Sequence, residues 1–297
     1  MPSRADDDLP DDDFGHEHEL LPRSAGQELP DELLPPGMGL LAISVGNTNT
    51  RFVTYHAGHH HEGVSLPNAD LVNLTKVLRH AADHLDDSER TAVIVASTNH
   101  PFRDELLDSL IPNLDHEVFR LGSDLGVPIK TVLTEAAAER TGQDRLLNAL
   151  AAFESAKQAC VVVSAGTAIT VDFVDGEGVF HGGAIVPGLR MWLNSLHNGT
   201  AALPAIEPRR PDESAFGADT TQAMLHGAFY GIRGVVRALT ERYAEAYEAY
   251  PRIVATGGDA KFLFEDDDLI ESIDPDLTLR GIAATCRLAL SGDAPEA

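Results

Sequence analysis

Two blocks of the sequence, SVGNTNTRFV at 44–53 and SAGTAITVDFV at 164–174, share the spacing Ser-x-Gly-x-x-x-Thr. Each comes directly after an apolar, β-branched run. Each leads into a turn, HAGHHHEG in the first and DGEG in the second, after which apolar sequence resumes. No other feature constrains the fold as much. A strand–turn–strand unit that recurs 120 residues on implies a duplicated domain whose two hairpins face one cleft. Chance recurrence of common residue types is the competing reading, and the position after a strand in both copies argues against it. Apolar runs at 40–45, 92–97, 160–164, 169–174 and 252–256 alternate with helical stretches at 143–157 and 219–248, an α/β pattern.

The glycines in these blocks suggest chemistry. Backbone N–H groups reach a phosphate only where no Cβ stands in the way, and Gly46 and Gly166 supply such turns. Asn47, Thr48, Asn49 and Thr167 add further donors. A single Asn-Gly turn is an ordinary hairpin; two copies together favour a phosphate site. A third glycine element, IVATGGDAKFL at 253–263, runs from a strand through Gly257 and Gly258 into a helix, where backbone can lie flat against a nucleotide. In TGQDRLLNALAAF, residues 141–153, Leu146, Leu147, Leu150 and Phe153 fall on one helical face, so Gly142 to Arg145 form the helix start. This places Asp144 at the N-cap, where the positive helix end is expected to keep its carboxylate ionised. It is either a plain cap or a proton acceptor beside an anion-holding Arg145.

Composition bounds the remaining possibilities. With 297 residues, 43% of them hydrophobic, the chain can bury two lobes. A net charge of −25 without a basic cluster argues against nucleic-acid or anionic-membrane partners. The apolar runs TAVIVAS and CVVV are too short to span a bilayer. Residues 1–38 carry eleven acidic and two basic residues among several prolines, and are expected to be a disordered tail ahead of domains at 39–155 and 156–290. The acidic start lacks the apolar core of a secretory signal, so a cytoplasmic location is expected. Cys160 and Cys286 fit buried thiols of a reducing compartment, and His59, His60 and His61 a solvated loop. Trp192, in LRMWLNSL, suits a core or a dimer interface.

The motifs VGNTNT, GQDR, SAGTAITVDFV, GVFHGGAIVPGL, NGTAALP, HGAFYG and ATGGDA occur in the order seen in type III pantothenate kinases, which the chain resembles over roughly residues 40–290. That family lies within the acetate and sugar kinase, Hsc70 and actin superfamily. The resemblance implies two duplicated ribonuclease-H-like α/β domains with a cleft between them, and a homodimer. It implies ATP-dependent phosphorylation of pantothenate to 4'-phosphopantothenate, the first step of coenzyme A biosynthesis, with Mg²⁺ and a monovalent cation, K⁺ or NH₄⁺. Carried over, Ser44, Val45, Gly46, Asn47, Thr48, Asn49, Thr50 and Arg51 wrap the ATP phosphates together with Thr167, while Gly257 and Gly258 lie near adenosine. Gly142, Gln143, Asp144 and Arg145 bind pantothenate, with Asp144 as proton acceptor, and Thr200 reaches the substrate from the partner subunit.

The chain departs from the family pattern in three places. Ser44 stands where the family has the aspartate that helps hold Mg²⁺, and Ser164 where it has the monovalent-cation ligand. A family aromatic near Lys130–Val132 has no counterpart. Asp172, eight residues beyond Ser164, is a candidate substitute ligand. Two rival readings follow: a catalytically weakened paralogue that binds ATP or pantothenate as a sensor or regulatory protein, and a kinase of the same superfamily with a different small hydroxylated substrate.

Overall fold

The computed structural model describes residues 34–56, the backbone of 59–60, residues 62–85 and residues 88–291. β1 (Met38–Val45) and β2 (Asn49–His56) form the first hairpin, and β3 (His59–His60) and β4 (Val64–Pro67) pair antiparallel with β2. After α1 (Leu71–Asp83), β5 (Arg90–Ser97) adds parallel to β1. After α2 (His100–Leu110), β6 (Val118–Arg120) adds parallel to β5. Side chains start these helices: Asp70 accepts from the Asn73 N–H and Asn99 from the Phe102 N–H, each satisfying an otherwise unpaired donor.

The second half repeats the plan. β7 (Lys130–Thr131), α3 (Glu135–Ala138) and α4 (Gln143–Ala156) precede the second hairpin, formed by β8 (Cys160–Ala165) and β9 (Ala168–Val174). β10 (Val179–Pro187) pairs antiparallel with β9, and β7 pairs with its outer edge. α5 (Leu189–Asn198) and α6 (Thr220–Tyr247) lead to β11 (Arg252–Thr256), which is parallel to β8. α7 (Ala260–Phe264) leads to β12 (Ser272–Ile273), parallel to β11, and α8 (Leu277–Ser291) closes the described chain. Both six-stranded sheets therefore contain an antiparallel three-strand meander with two parallel strands added beside its first strand, and β3 and β7 are the sixth strands. The duplication expected from the paired blocks is present, and with it the ribonuclease-H-like plan that the resemblance implies.

The helices that end each half cross over. α4 lies against the second sheet through Leu146, Ala149 and Ala152, which share a core with Val162 and Val174. α8 lies against the first sheet, where Leu279, Ile282 and Cys286 pack with Leu40, Ala42 and Val53. The two helices touch at Gly281, where a Cβ would strike the backbone of Leu147. A cut between 155 and 156 therefore divides the chain but not the cores. The tail boundary moves as well: Leu34 and Met38 are buried against the first sheet, because they cover apolar strand side chains that would otherwise meet water. The expected tail therefore extends no further than residue 33, and residues 1–33 lie outside the described residues. So do the side chains of His59, His60 and His61.

Candidate active site

The first hairpin is clasped by one residue. The Gly46 N–H donates to the Asn49 carbonyl (2.9 Å), and the Asn68 backbone N–H to the Thr48 carbonyl (2.9 Å). The Asn68 side chain donates to the Gly46 carbonyl (2.9 Å) and accepts from the Thr50 hydroxyl (2.8 Å). These bonds turn the loop carbonyls towards Asn68. The N–H groups of Asn47 and Thr48, on exposed residues, have no acceptor among the described residues. Val45 and Thr50 are buried, and the Arg51 Nε donates to Asp276 Oδ1 (2.7 Å). Of the block 44–51, the turn from Gly46 to Asn49 is thus the part open to a phosphate.

In the second hairpin the Gly166 N–H donates to Ala168 (3.1 Å), leaving Thr167 exposed and its N–H without an acceptor among the described residues. The Gly257–Gly258 turn meets this hairpin. A Cβ on Gly257, whose φ is +95°, would strike the Ala165 backbone, and the Asp259 N–H donates to the Ala165 carbonyl (3.0 Å). Only glycine permits that approach, so the third glycine element does adjoin the second hairpin. Asp259, to which the sequence assigned no role, has its carboxyl pushed up by burial, with the Arg190 charge opposing.

Ser164 stands between Thr170 on β9 and Thr256 on β11 in register, so three hydroxyls line one face. The Thr170 Oγ1 is buried without a hydrogen-bond partner. Two residues along the same face lies Asp172, 2% exposed, which takes the Nε of Arg145 at 3.0 and 3.1 Å to its two oxygens and the Nη2 on one of them. Asp172 is therefore committed to Arg145 and is not a substitute ligand for Ser164. It supplies what the sequence could not show, a fixed orientation for the arginine.

Gly142, not Asp144, is the N-cap of α4. Asp144 sits in the first turn and leans back, so that a Cβ on Gly142 would lie 2.5 Å from its Oδ1. The expectation of an ionisation-favouring cap is corrected: burial pushes the Asp144 carboxyl above the usual range, and the Asp172 charge adds to this. The N–H groups of Arg145 and Asp144 and the Arg145 charge oppose the shift without cancelling it. Desolvation wins because a helix end contributes only a fraction of a charge. The Gln143 side chain packs against Gly122, and its Oε1 is buried without a partner.

The sequence profile described as Type III pantothenate kinase matches residues 40–242. The chain belongs to the type III pantothenate kinase family. A type III pantothenate kinase from Rhodospirillum rubrum is 35% identical over 248 residues, which cover 82% of this chain and 96% of the relative. One from Paramagnetospirillum magneticum is 34% identical over 251 residues, covering 82% and 95%. Among solved structures, a Campylobacter jejuni protein described as of the Baf family of transcriptional activators shares the fold. It aligns with a TM-score of 0.54 at 20% identity, over 85% of this chain and 99% of that one.

The family's two cation positions carry hydroxyls and no charge here. Ser44 faces Arg51 across the hairpin, and the carboxylate nearby, Asp276, holds that arginine. Ser164 lies in the neutral hydroxyl row. Among the described residues no group of three His, Cys, Asp or Glu side chains could hold a metal. Thr200 is exposed; its hydroxyl donates to the Leu196 carbonyl (2.9 Å) and accepts from the Leu203 N–H (3.3 Å), closing the end of α5. Among the described residues of one chain nothing joins it to residues 142–145. Trp192 packs over Gly231 of α6 and against the second-sheet core. A cavity of about 370 Å³ between β9, β10 and α6 is lined by Phe173, His181, Tyr243 and Tyr247 and contains none of residues 142–145.

Proposed function

We propose that this kinase transfers the γ-phosphoryl group of ATP to the primary hydroxyl of pantothenate, giving 4'-phosphopantothenate and ADP. The observation that carries the assignment of roles is Asp144: a buried carboxyl at a helix start, with its neighbouring arginine held by another acid. The hydroxyl oxygen attacks the γ-phosphorus, the bond to the bridging oxygen breaks, and Asp144 receives the hydroxyl proton. Such transfers depend on alignment more than on covalent chemistry from the protein. The open N–H groups of Asn47, Thr48 and Thr167 hold phosphate oxygens, and the Gly257–Gly258 turn lies beside the nucleoside. Mg²⁺ bound with the nucleotide would neutralise phosphate charge, and Ser44 and Ser164 would offer it hydroxyl oxygens but no charge.

The active unit is a cytoplasmic homodimer in this reading. Ile185, Met191 and Tyr230 expose large apolar surfaces on β10, α5 and α6, which a second copy would cover. Thr200 would then serve the partner's substrate. Among the described residues no helix is long and apolar enough to cross a membrane. ADP release measured with and without pantothenate tests the assignment. Turnover with pantothenate supports it, and turnover only with another small alcohol replaces the substrate. Binding without turnover favours the sensor reading, for which the two uncharged serines are the supporting observation.

A further inference from the structure

Asp144 and Arg145 are adjacent in the chain and opposite in charge, yet they form no ion pair in the fold. A free arginine beside a buried carboxylate would close on it, since a paired ion is far cheaper to bury than an unpaired one. Asp172 prevents this. It approaches from β9, takes the Nε and Nη2 edge of Arg145 with both oxygens, and among the described residues leaves Asp144 the backbone N–H groups of Asp144 and Arg145 as partners. The surrounding strands leave room for it. Gly183 on β10 lies opposite Asp172, and a Cβ there would come within 2.6 Å of its Oδ1.

We propose that Asp172 is a positioning residue for phosphoryl transfer: it holds Arg145 off Asp144 and so keeps the proton acceptor unpaired. The pair also limits what Arg145 can bind. Two of its guanidinium N–H groups are taken by Asp172, so a substrate anion meets only the remaining edge, and meets it beside a compensating negative charge. Arg145 therefore orients a substrate anion more than it attracts one. The charged and titratable groups facing this cluster are Arg145 on α4, Asp172 on β9 and Tyr243 on α6.

This inference rests on Asp144 as the proton acceptor, and a pH–rate profile separates the two claims. In wild type, kcat/KM should fall on the acid side with an apparent pKa above the ordinary carboxylate range. Asp172→Asn frees Arg145 to pair with Asp144 and removes a like charge. The acid limb should then move down by on the order of one pH unit, and kcat should fall roughly 10- to 100-fold with the KM for ATP unchanged. Arg145→Gln leaves Asp172 unpaired near Asp144 and should move the limb the opposite way. Asp172→Glu, which keeps the charge, should restore the limb. A folded Asp172→Asn protein with an unmoved limb, or with wild-type kcat, overturns the proposal. If that variant does not fold, Arg145→Gln decides it: an upward shift supports the proposal and an unmoved limb overturns it. If Asp144→Asn itself retains the acid limb, the acceptor assignment fails instead.

Discussion

The two hairpins begin from the same seven-residue spacing and end in different structures. In the first, Thr50 pairs with Val45 and Arg51 with Ser44; in the second, Thr170 pairs with Ser164. The first turn holds one more residue, and because strand side chains alternate, that residue sends the matching threonine to the opposite face. Thr50 is consequently buried and bonded to Asn68, while Thr170 shares a face with Ser164, Thr256 and the Arg145–Asp172 pair. The first copy is fastened from both sides, by Asn68 and by Asp276. The second presents a row of hydroxyls towards the helix that carries Asp144. In the proposed function the first hairpin grips phosphate and the second lies beside the chemistry.

The largest test of that division is Asp144→Asn. Turnover should fall about 10²- to 10⁴-fold while the KM for ATP stays near wild type, because the hairpins proposed to hold phosphate are untouched. A matching loss of ATP affinity would show that grip and chemistry are not separate. Next comes the anchor of the strand leading into the first hairpin. Removing residues 1–33 should leave the urea midpoint unchanged. Removing residues 1–38 takes away the buried Leu34 and Met38 and should cost about 3–6 kcal/mol. Equal stability of the two truncations would contradict the packing.

Asn68→Ala sharpens the comparison directly. It deletes two side-chain hydrogen bonds of the first turn and leaves the Thr50 hydroxyl buried, which should cost roughly 1–3 kcal/mol and raise the KM for ATP. No change in that KM would mean the clasp serves stability alone. The smallest effect belongs to Ser164→Asp. The wild-type protein should show the same melting temperature in potassium and in a bulky organic cation. The variant, with a charge in the hydroxyl row, should gain roughly 2 °C in potassium. Potassium stabilisation of the wild-type protein would locate a cation ligand outside residues 44 and 164.

The strands were largely readable in advance. β8, β9 and β11 are apolar, β-branched runs bounded by turn residues, and they lie within a residue or so of where the pattern sets them. Gly46, Gly166 and Gly257 were readable as turns for the same local reason. Asn68 was not, because nothing in Pro67-Asn68-Ala69 distinguishes a clasp from a loop until β4 brings it beside Gly46. The cap was placed at Asp144, two residues beyond the actual N-cap Gly142, since the pattern marks the start of a helix but not which residue caps it. The direction of its pKa shift was misjudged because desolvation depends on what is packed around the carboxyl, and a sequence carries no packing.

The sequence by itself determined the duplicated α/β plan, the glycine turns and the family, because these depend on local spacing and on the period of apolar residues. Only the tertiary structure decided which groups face each other across that plan. The pairing of Arg145 with Asp172 links residues 27 apart, and that of Arg51 with Asp276 links residues 225 apart. The crossing of α4 and α8 onto opposite sheets set both pairs of neighbours. Hydrogen-bonded ion pairs need their partners within about 3 Å, so they follow from the folded arrangement and have no signature along the chain.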